Sequence, residues 1–242
     1  MIENVGKADS RNQQFYKKFD KMKIIKRHIT KLNPVCFDVG AFRGQSVEYL
    51  KTVFKKPLIY SFEPLQKNFA ILKRNNYTDN KCYNVAVSNF TGETSFYENK
   101  ISHTSSLLKV NKQSKDSVKI SEANSNNDND LFLSFNKRVK VKTITLDDFY
   151  LSNKLSKIDL LKIDVQGAES MVIKGAVNHF LKNTKAVMIE VSFYDYYEIS
   201  NNLYDIEKHI IPLGFNLNSI LDISQNPMNG RTDWIEVFYT KN

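Results

Sequence analysis

A short turn that contains two glycines carries the first residues that could do chemistry. Asp38 closes an apolar run, and Gly40 and Gly44 follow it in the sequence DVGAFRG. Gly40 can form a tight turn that lets a ligand approach the backbone, and Gly44 can let the next helix pack against the strand. The spacing differs from the G-x-G-x-x-G fingerprint of NAD-binding proteins. The turn therefore disfavours NAD, and its alternative interpretation is an ordinary strand–helix connection.

An acidic residue ends the next apolar run. Glu63 lies 23 residues after Gly40, and Pro64 follows it directly. A carboxylate at this place can accept hydrogen bonds from both ribose hydroxyls of an adenosine, although a carboxylate that only stabilises a helix start is the alternative. Asn84 and Ala86 end the third apolar run, where they could contact an adenine ring or simply form an ordinary strand end.

Two more carboxylates occur in later apolar runs. Asp164 ends the run IDLLKID, and open α/β sheets bind ligands at the carboxyl ends of such strands. Gly167 permits a turn after it, and Glu169 begins the next helix, where it could serve only the helix dipole. Glu190 lies inside the run VMIEV, where a charge rarely occurs without a partner or a function.

The apolar runs alternate with stretches of helical periodicity, which predicts βαβ units and a doubly wound, mostly parallel α/β sheet. Two closely spaced strands end the chain, so we expect an antiparallel C-terminal strand. This ending is typical of Rossmann-like class I adenosylmethionine-dependent methyltransferases and not of dinucleotide dehydrogenases. The predicted strands are 35–39, 58–62, 81–87, 93–97, 139–144, 158–163, 186–191, 215–221 and 234–240, and the predicted helices are 12–32, 46–54, 64–75, 146–151, 168–182 and 203–211.

Several stretches of the sequence resemble the FkbM family of adenosylmethionine-dependent methyltransferases. They are FDVGAFRGQS, YSFEPLQKNFAIL, NVAVSNFTGETSFY, TITLDDFY, IDLLKIDVQGAE with the following MVIKGA, and MIEV. The segment IDLLKIDVQGAE with MVIKGA is the most specific, because many methyltransferases share the nucleotide-binding motifs. Together these stretches span about residues 35–191, and DWIEVFYT is a family-like end.

The resemblance implies S-adenosyl-L-methionine as the cofactor and a hydroxyl of a sugar, a polyketide or another small natural product as the acceptor. The residues that we expect to bind the cofactor are Asp38, Gly40, Ala41, Gly44, Glu63, Pro64, Asn84, Ala86 and Asp164.

The main functional hypothesis is O-methylation of a sugar, glycan or other small-molecule hydroxyl. Methyl transfer is an in-line displacement at a sulfonium carbon, so alignment of the acceptor oxygen matters greatly, and a general base helps to remove the hydroxyl proton. Asp164, Glu190 and His103 are the candidate catalytic residues. His103 begins a variable polar segment that could cover the substrate, although an exposed loop histidine is the alternative.

Asp164 has two open roles. It could orient the reactants or act as a base directly, or it could hold a divalent ion that lowers the pKa of the hydroxyl. Gln166 stands where many family members carry Glu. Because neutral amides bind hard cations less strongly than carboxylates, we favour the role without a metal.

Two alternative functions belong to other classes. A nucleic-acid methyltransferase would fit the basic N-terminus, but the sequence has no [DN]-P-P-[YFW] motif and no Pro-Cys nucleophile. Strong salt dependence of binding would favour it. A non-catalytic adenosylmethionine-binding module is less consistent with the intact set Asp38, Gly40 and Glu63.

Charge is unevenly distributed along the chain. The net charge is +9, and residues 1–32 contribute +6 of it through nine basic and three acidic side chains. Apolar residues at spacings of three or four in 12–32 predict a basic amphipathic helix. That helix could contact an anionic partner, or it could dock on the domain with a solvated lysine face.

The composition of the chain excludes several classes of protein. No apolar run approaches the roughly 18 residues of a membrane helix, and two cysteines cannot make a disulfide scaffold or a cysteine-rich zinc module. Cys36 and Cys82 lie in apolar runs, and the first residues lack the apolar region of a signal peptide. We therefore expect a cytoplasmic protein. A homo-oligomer is a further expectation. We expect an N-terminal extension (1–34) and a methyltransferase domain (35–242) with a variable insertion at about 98–137.

Overall fold

A seven-stranded sheet forms the centre of the protein. The computed structural model describes residues 8–75, 77–114, 136–193, 195–199, 202–226 and 229–241. Their strands are β1 Val35–Val39, β2 Leu58–Phe62, β3 Asn80–Tyr83, β4 Ala86–Val87, β5 Gly92–Asn99, β6 Asn136–Ile144, β7 Ile158–Ile163, β8 Thr184–Ser192, β9 Phe215–Gln225 and β10 Thr232–Lys241. The main sheet has the order β3-β2-β1-β7-β8-β10-β9. There β10 runs antiparallel to the other strands, which confirms the predicted fold class.

Helices cover both faces of this sheet, because both faces are apolar. Their bounds are α1 Ala8–Lys18, α2 Lys21–His28, α3 Gln45–Val53, α4 Gln66–Arg74, α5 Leu146–Ser152, α6 Glu169–Lys174 and α7 Leu203–Ile210. One face packs against α2 and α3 in a core that includes Ile25 and Leu50. The other face packs against α5, α6 and α7 in a core that includes Phe149, Val172 and Ile206.

The parallel strands give the sheet two distinct edges. We call the side where β1, β2, β7 and β8 end the carboxyl edge, and the side where they begin the amino edge. The predicted bounds of β1, β2 and β7 match the structure residue for residue. All three are continuous apolar runs, as expected of strands that are buried on both faces.

The third predicted strand, 81–87, is wrong as a single element. Its first part is β3 in the main sheet, and its last part is β4, which pairs with β6 in a separate three-stranded sheet of order β4-β6-β5. Between them the Asn84 side chain donates hydrogen bonds to the carbonyl oxygens of Glu63 and Pro64, both at 2.9 Å. This contact holds the chain to the turn after β2 instead of letting the strand continue.

The predicted helix 12–32 is two helices. Asp20 has an extended backbone between α1 and α2, and its side chain accepts a hydrogen bond from the Lys23 N–H at 2.8 Å. Aspartate is among the best N-cap residues, so it begins a new helix here. The apolar side of α2 docks on the sheet through Ile24 and Ile25, both buried.

The predicted helix 168–182 is also too long. Helix α6 ends at Gly175, where a Cβ atom would lie 2.2 Å from the Ser88 carbonyl oxygen. Beyond it, the Asp147 carboxylate accepts hydrogen bonds from the N–H groups of Asn178, His179 and Phe180 at 2.8–2.9 Å. These N–H groups are therefore satisfied by a side chain of α5 instead of by a continued helix.

The polar stretch 111–130 of the variable insertion predicts a long, mobile loop, and Phe132 and Phe135 predict a short helix after it. Most of that loop and the whole of that helix lie outside the described residues. In the part of the chain that is described, no helix has the length and apolar character of a membrane span. Cys36 and Cys82 are both free thiols.

Candidate active site

A cavity of about 620 Å³ opens at the carboxyl edge of the main sheet. This volume lies within the usual range of small-molecule sites, about 300–1,000 Å³. Predicted site residues that line the cavity are Gly40, Ala41, Glu63, Pro64, Ala86, His103, Asp164 and Glu190. Asp38, Gly44 and Asn84 do not line it.

The turn after β1 fits closely against the turn after β7. Gly40 has φ +89°, and a Cβ atom there would lie only 1.8 Å from the Asp164 carbonyl oxygen. The N–H groups of Gly40 and Ala41 donate to the Phe62 carbonyl oxygen at 3.1 and 2.9 Å. Phe42 also has a positive φ, +48°, which is uncommon for a bulky residue. Three strand ends are thus joined by backbone contacts that leave little room for substitution.

Glu63 connects this turn to the start of α4. Its carboxylate accepts hydrogen bonds from the Leu65 N–H at 2.8 Å and the Phe42 N–H at 3.1 Å. Burial raises the pKa of Glu63 to about 7, although these hydrogen bonds and one from Asn68 act in the opposite direction. A carboxylate has about four lone-pair sites, so Glu63 keeps acceptor capacity toward the cavity.

A glutamine bridges the two carboxylates at the ends of β7 and β8. Gln166 Nε2 donates to Asp164 Oδ1 at 2.9 Å and lies 3.5 Å from Glu190 Oε1. The Gln166 side-chain oxygen lies 3.4 Å from the Tyr197 hydroxyl oxygen. Gln166 itself has φ +58°. A glutamate here would add a third carboxylate to the pair, whereas the amide can donate to both.

Glu190 has the most perturbed carboxyl group of this cluster. Burial, then the nearby charges of Asp164 and Glu169, raise the pKa of Glu190 to about 8. A carboxyl group with a pKa near the working pH is suited to general acid–base chemistry.

Glu169 has a structural role in the turn after β7. Its carboxylate accepts hydrogen bonds from the N–H groups of Val165 and Gly167 at 3.0 and 3.1 Å, and these hydrogen bonds fix the turn.

A buried lysine balances the negative charge beneath the cavity. Lys162 Nζ lies 3.3 Å from Asp164 Oδ2 and 3.9 Å from Asp38 Oδ1. Burial alone would lower the pKa of Lys162, but the carboxylates of Asp164, Asp38 and Glu236 raise it overall. Asp38 is fully buried, and that burial raises its pKa to about 6. Glu236 forms a further ion pair with Lys21 of α2, so the N-terminal helices are tied to this network.

His103 lies on a short segment that forms one wall of the cavity. Its 3₁₀ turn, Ser102–Thr104, is held on one side by Asn68 Nδ2, which donates to Ser102 Oγ at 3.1 Å. On the other side the Tyr197 hydroxyl donates to the Thr104 carbonyl oxygen at 2.8 Å. The His103 ring packs edge-on against Phe42, with 6.4 Å between the ring centroids.

Comparison with known proteins assigns the chain to a family. The model of the methyltransferase FkbM domain matches residues 38–217, which is well over half of the chain. The chain belongs to the FkbM methyltransferase family. It is a methyltransferase, and S-adenosylmethionine is the cofactor expected for the family.

Two relatives of this FkbM methyltransferase are informative. The curated 2-O-methyltransferase NoeI of Sinorhizobium fredii is 28% identical over 172 residues, which cover 70% of this chain and 68% of NoeI. The crystal structure of an FkbM methyltransferase from Methylobacillus flagellatus aligns over 94% of this chain with a TM-score of 0.54 and 15% identity. This chain spans only half the length of that structure, and the likeness shows the fold alone.

The structure of this FkbM methyltransferase adds cavity residues that the sequence interpretation did not single out. Among them are Phe42, Asn68 and Trp234. Trp234 is the chain's single tryptophan and lies near the start of the last strand, and that rarity was the available signal. Phe42 and Asn68 carried no such signal, because the φ of one and the long-range hydrogen bond of the other appear only in the fold.

Proposed function

We propose that the chain transfers a methyl group from S-adenosylmethionine to a hydroxyl of a sugar or a similar small molecule. The observation that carries this proposal is a single cavity that joins the Glu63 turn to the pair Asp164 and Glu190. NoeI, the curated relative, bears the name of a 2-O-methyltransferase. That name supports oxygen as the atom that accepts the methyl group.

The donor would bind in the half of the cavity formed by the turns after β1 and β2. Glu63 presents acceptor oxygens for ribose hydroxyls, while Gly40, Ala41 and Ala86 provide walls without bulky side chains. Asn84 holds the Glu63–Pro64 backbone. The residues present therefore fit an adenosine. When bound, the cofactor supplies an electrophilic methyl group on a sulfonium centre.

The acceptor would bind beside Asp164, Gln166 and Glu190. Glu190 is the preferred general base, because its raised pKa makes its deprotonated form a stronger base than an ordinary carboxylate and places its titration near the working pH. Asp164 is held by Lys162 and Gln166, which suits it to orient the acceptor or the donor. His103 stays a third candidate, since its 3₁₀ turn lines the same cavity.

Trp234 supports a carbohydrate acceptor. Its side chain lines the same cavity, and its backbone pairs with Ser192, two residues beyond Glu190 on β8. Sugar rings present an apolar C–H face that can pack on an aromatic ring, while their hydroxyls need acceptors and donors. A tryptophan next to two carboxylates and an amide offers both kinds of contact.

Binding and transfer assays test the proposal. Calorimetry should show that the protein binds S-adenosylhomocysteine and does not bind NAD. Methyl transfer from labelled S-adenosylmethionine should then be screened on hexoses, deoxyhexoses and N-acetylhexosaminides. Absence of S-adenosylhomocysteine binding would overturn the proposal, and binding without transfer to any oxygen acceptor would favour the non-catalytic module.

Further expectations from the sequence stay predictions. They include the division of the chain into an extension (1–34) and a domain (35–242), the formation of a homo-oligomer, a location in the cytoplasm, and the metal-free role of Asp164. For this last point, turnover in EDTA should equal turnover with added magnesium. Loss of activity in EDTA that magnesium restores would show that a metal is needed.

A further inference from the structure

Lysines from several parts of the chain meet at the amino edge of the main sheet. Lys31 precedes β1, and Lys157 precedes β7, while two pairs lie just before β2 and at the start of β8. We call these six side chains the basic patch, and all are exposed: Lys31, Lys55, Lys56, Lys157, Lys182 and Lys185. The loops that precede parallel strands lie at one edge, so the fold gathers charges that are far apart in sequence.

Contacts among these loops show that the basic patch is continuous. The Lys56 N–H donates to the Leu32 carbonyl oxygen at 3.0 Å, which joins the loops before β1 and β2. A second cavity, of about 360 Å³, is lined by Lys31, Lys157, Lys182 and Lys185. The patch therefore surrounds a concavity on the side of the sheet away from the active site.

Few acidic groups offset this charge. Asp159 is buried and already bound by Lys31 Nζ at 2.8 Å and by the Val35 N–H at 2.9 Å. In the described part of the chain, Lys157, Lys182 and Lys185 form no ion pair with an acidic side chain. Asp79 is an exposed acid in the loop before β3, which begins at Asn80. The patch is thus a strongly positive surface.

An exposed leucine lies within the basic patch. Leu32 follows Lys31 directly, contacts Lys56 through the backbone, and has 69% of its surface exposed. Surfaces that bind anionic membranes combine lysines, which attract phosphate groups, with apolar side chains that enter the interface. Nucleic-acid surfaces often add aromatic side chains that stack on bases, and the basic patch has none.

We propose that the amino edge docks on a membrane surface that contains anionic phospholipids, through the basic patch and Leu32. The carboxyl edge lies on the opposite side of the sheet, so the active-site cavity would face the water. The proposal does not depend on the methyl acceptor, and it concerns residues that take no part in the proposed chemistry.

Vesicle flotation tests the docking directly. The full-length protein should float with vesicles of phosphatidylcholine and phosphatidylglycerol and should not float with pure phosphatidylcholine. Binding should weaken steeply as salt is raised, since exposed charges are screened. Failure to bind the anionic vesicles at low salt would overturn the proposal.

A pair of matched variants locates the surface. Lys157→Glu, Lys182→Glu and Lys185→Glu together should lower the vesicle partition coefficient by about tenfold or more. The control replaces Lys137, Lys140 and Lys142 of β6, all exposed, by Glu and changes the net charge equally. The control should keep most of the binding. Equal losses in both variants would show a net-charge effect and would overturn the assignment to the amino edge.

Leu32→Ser separates a membrane from a nucleic acid. The variant should bind anionic vesicles several-fold more weakly with every lysine present, because it loses the apolar contact. Single-stranded DNA of mixed sequence is the competing probe. Tighter binding to DNA than to vesicles at the same salt, or unchanged vesicle binding by Leu32→Ser, would overturn the membrane proposal. Binding of S-adenosylhomocysteine by each variant shows that the fold is intact.

Discussion

The two edges of one sheet use charge in opposite ways. At the carboxyl edge, carboxyl groups are largely enclosed by the fold and hydrogen-bonded to particular partners, and burial raises the pKa of both Glu190 and Glu63. At the amino edge, lysines such as Lys157 and Lys185 are exposed. Burial makes each charge depend on its particular partners, whereas exposure makes charges act together through a screened field. We therefore expect single substitutions to matter at the carboxyl edge and only groups of substitutions to matter at the amino edge.

Replacement of the proposed base should have the largest effect. Glu190→Gln keeps the shape but cannot accept the proton, so turnover should fall by about 10²–10⁴-fold. Affinity for S-adenosylhomocysteine should change little, since the proposed donor site is formed by Glu63 and the β1 turn. Turnover above one tenth of the wild-type value would show that Glu190 is not the base, and His103→Gln would then be the next variant.

The pH profile should report the same group. The pKa of Glu190 is raised to about 8, so the carboxyl group is mostly protonated at pH 7 and gains its basic form as the pH rises. Turnover should therefore rise through about pH 8 and then level off. Activity that is flat from pH 6 to 9, measured under saturating donor, would contradict the assignment.

Asp164→Asn should have the next largest effect. The change removes the ion pair with Lys162 and misplaces the reacting groups, and such misplacement can cost about 10²-fold in turnover. Donor affinity should fall much less than turnover. The comparison of kcat with calorimetric affinity checks this, and near wild-type turnover would exclude both the direct and the metal-holding roles.

Glu63→Ala should affect donor binding. Loss of a charge-assisted hydrogen bond to ribose should weaken S-adenosylhomocysteine binding by about 1.5–3 kcal/mol, as measured by calorimetry. Glu93→Ala is a suitable control, since Glu93 is exposed on β5 and does not line the cavity. An unchanged affinity in Glu63→Ala would refute the ribose assignment.

The smallest effect on catalysis should come from the amino edge. The variant with Lys157, Lys182 and Lys185 all replaced by Glu should keep its turnover within about twofold of wild type, because exposed surface changes are usually within about 0.5 kcal/mol. A large loss of turnover on a small soluble acceptor would show that the two edges are not independent.

The local sequence was sufficient to predict a strand or helix where that element depends mainly on its own residues. The strands β1, β2 and β7 were predicted with their observed bounds, because a buried parallel strand is a short apolar run with clear ends. The helix predicted at 146–151 also begins where expected, because the Thr145 hydroxyl accepts a hydrogen bond from the Asp148 N–H at 2.9 Å and caps the helix start. Errors arose where a distant side chain decides, as Asp147 does when it binds the N–H groups of 178–180.

The order of residues along the chain did not predict where positive charge gathers on the folded surface. Residues 1–32 carry most of the net charge, and they predicted one basic helix. The fold instead breaks that helix at Asp20, ties Lys21 to Glu236, and collects lysines of other segments at the amino edge. No run of sequence contains the basic patch, because loops before parallel strands become neighbours only when the strands pair.

By itself, the sequence determined the fold class, the family and the acidic residues that end the strands. These follow from apolar runs, turn glycines and short motifs, which act over a few residues. Tertiary structure alone decided that Gln166 bridges Asp164 and Glu190, and that Trp234 joins them from the last strand. The physical reason is that these contacts depend on strand register and on the close fit of two turns, and both are set by packing across the whole sheet.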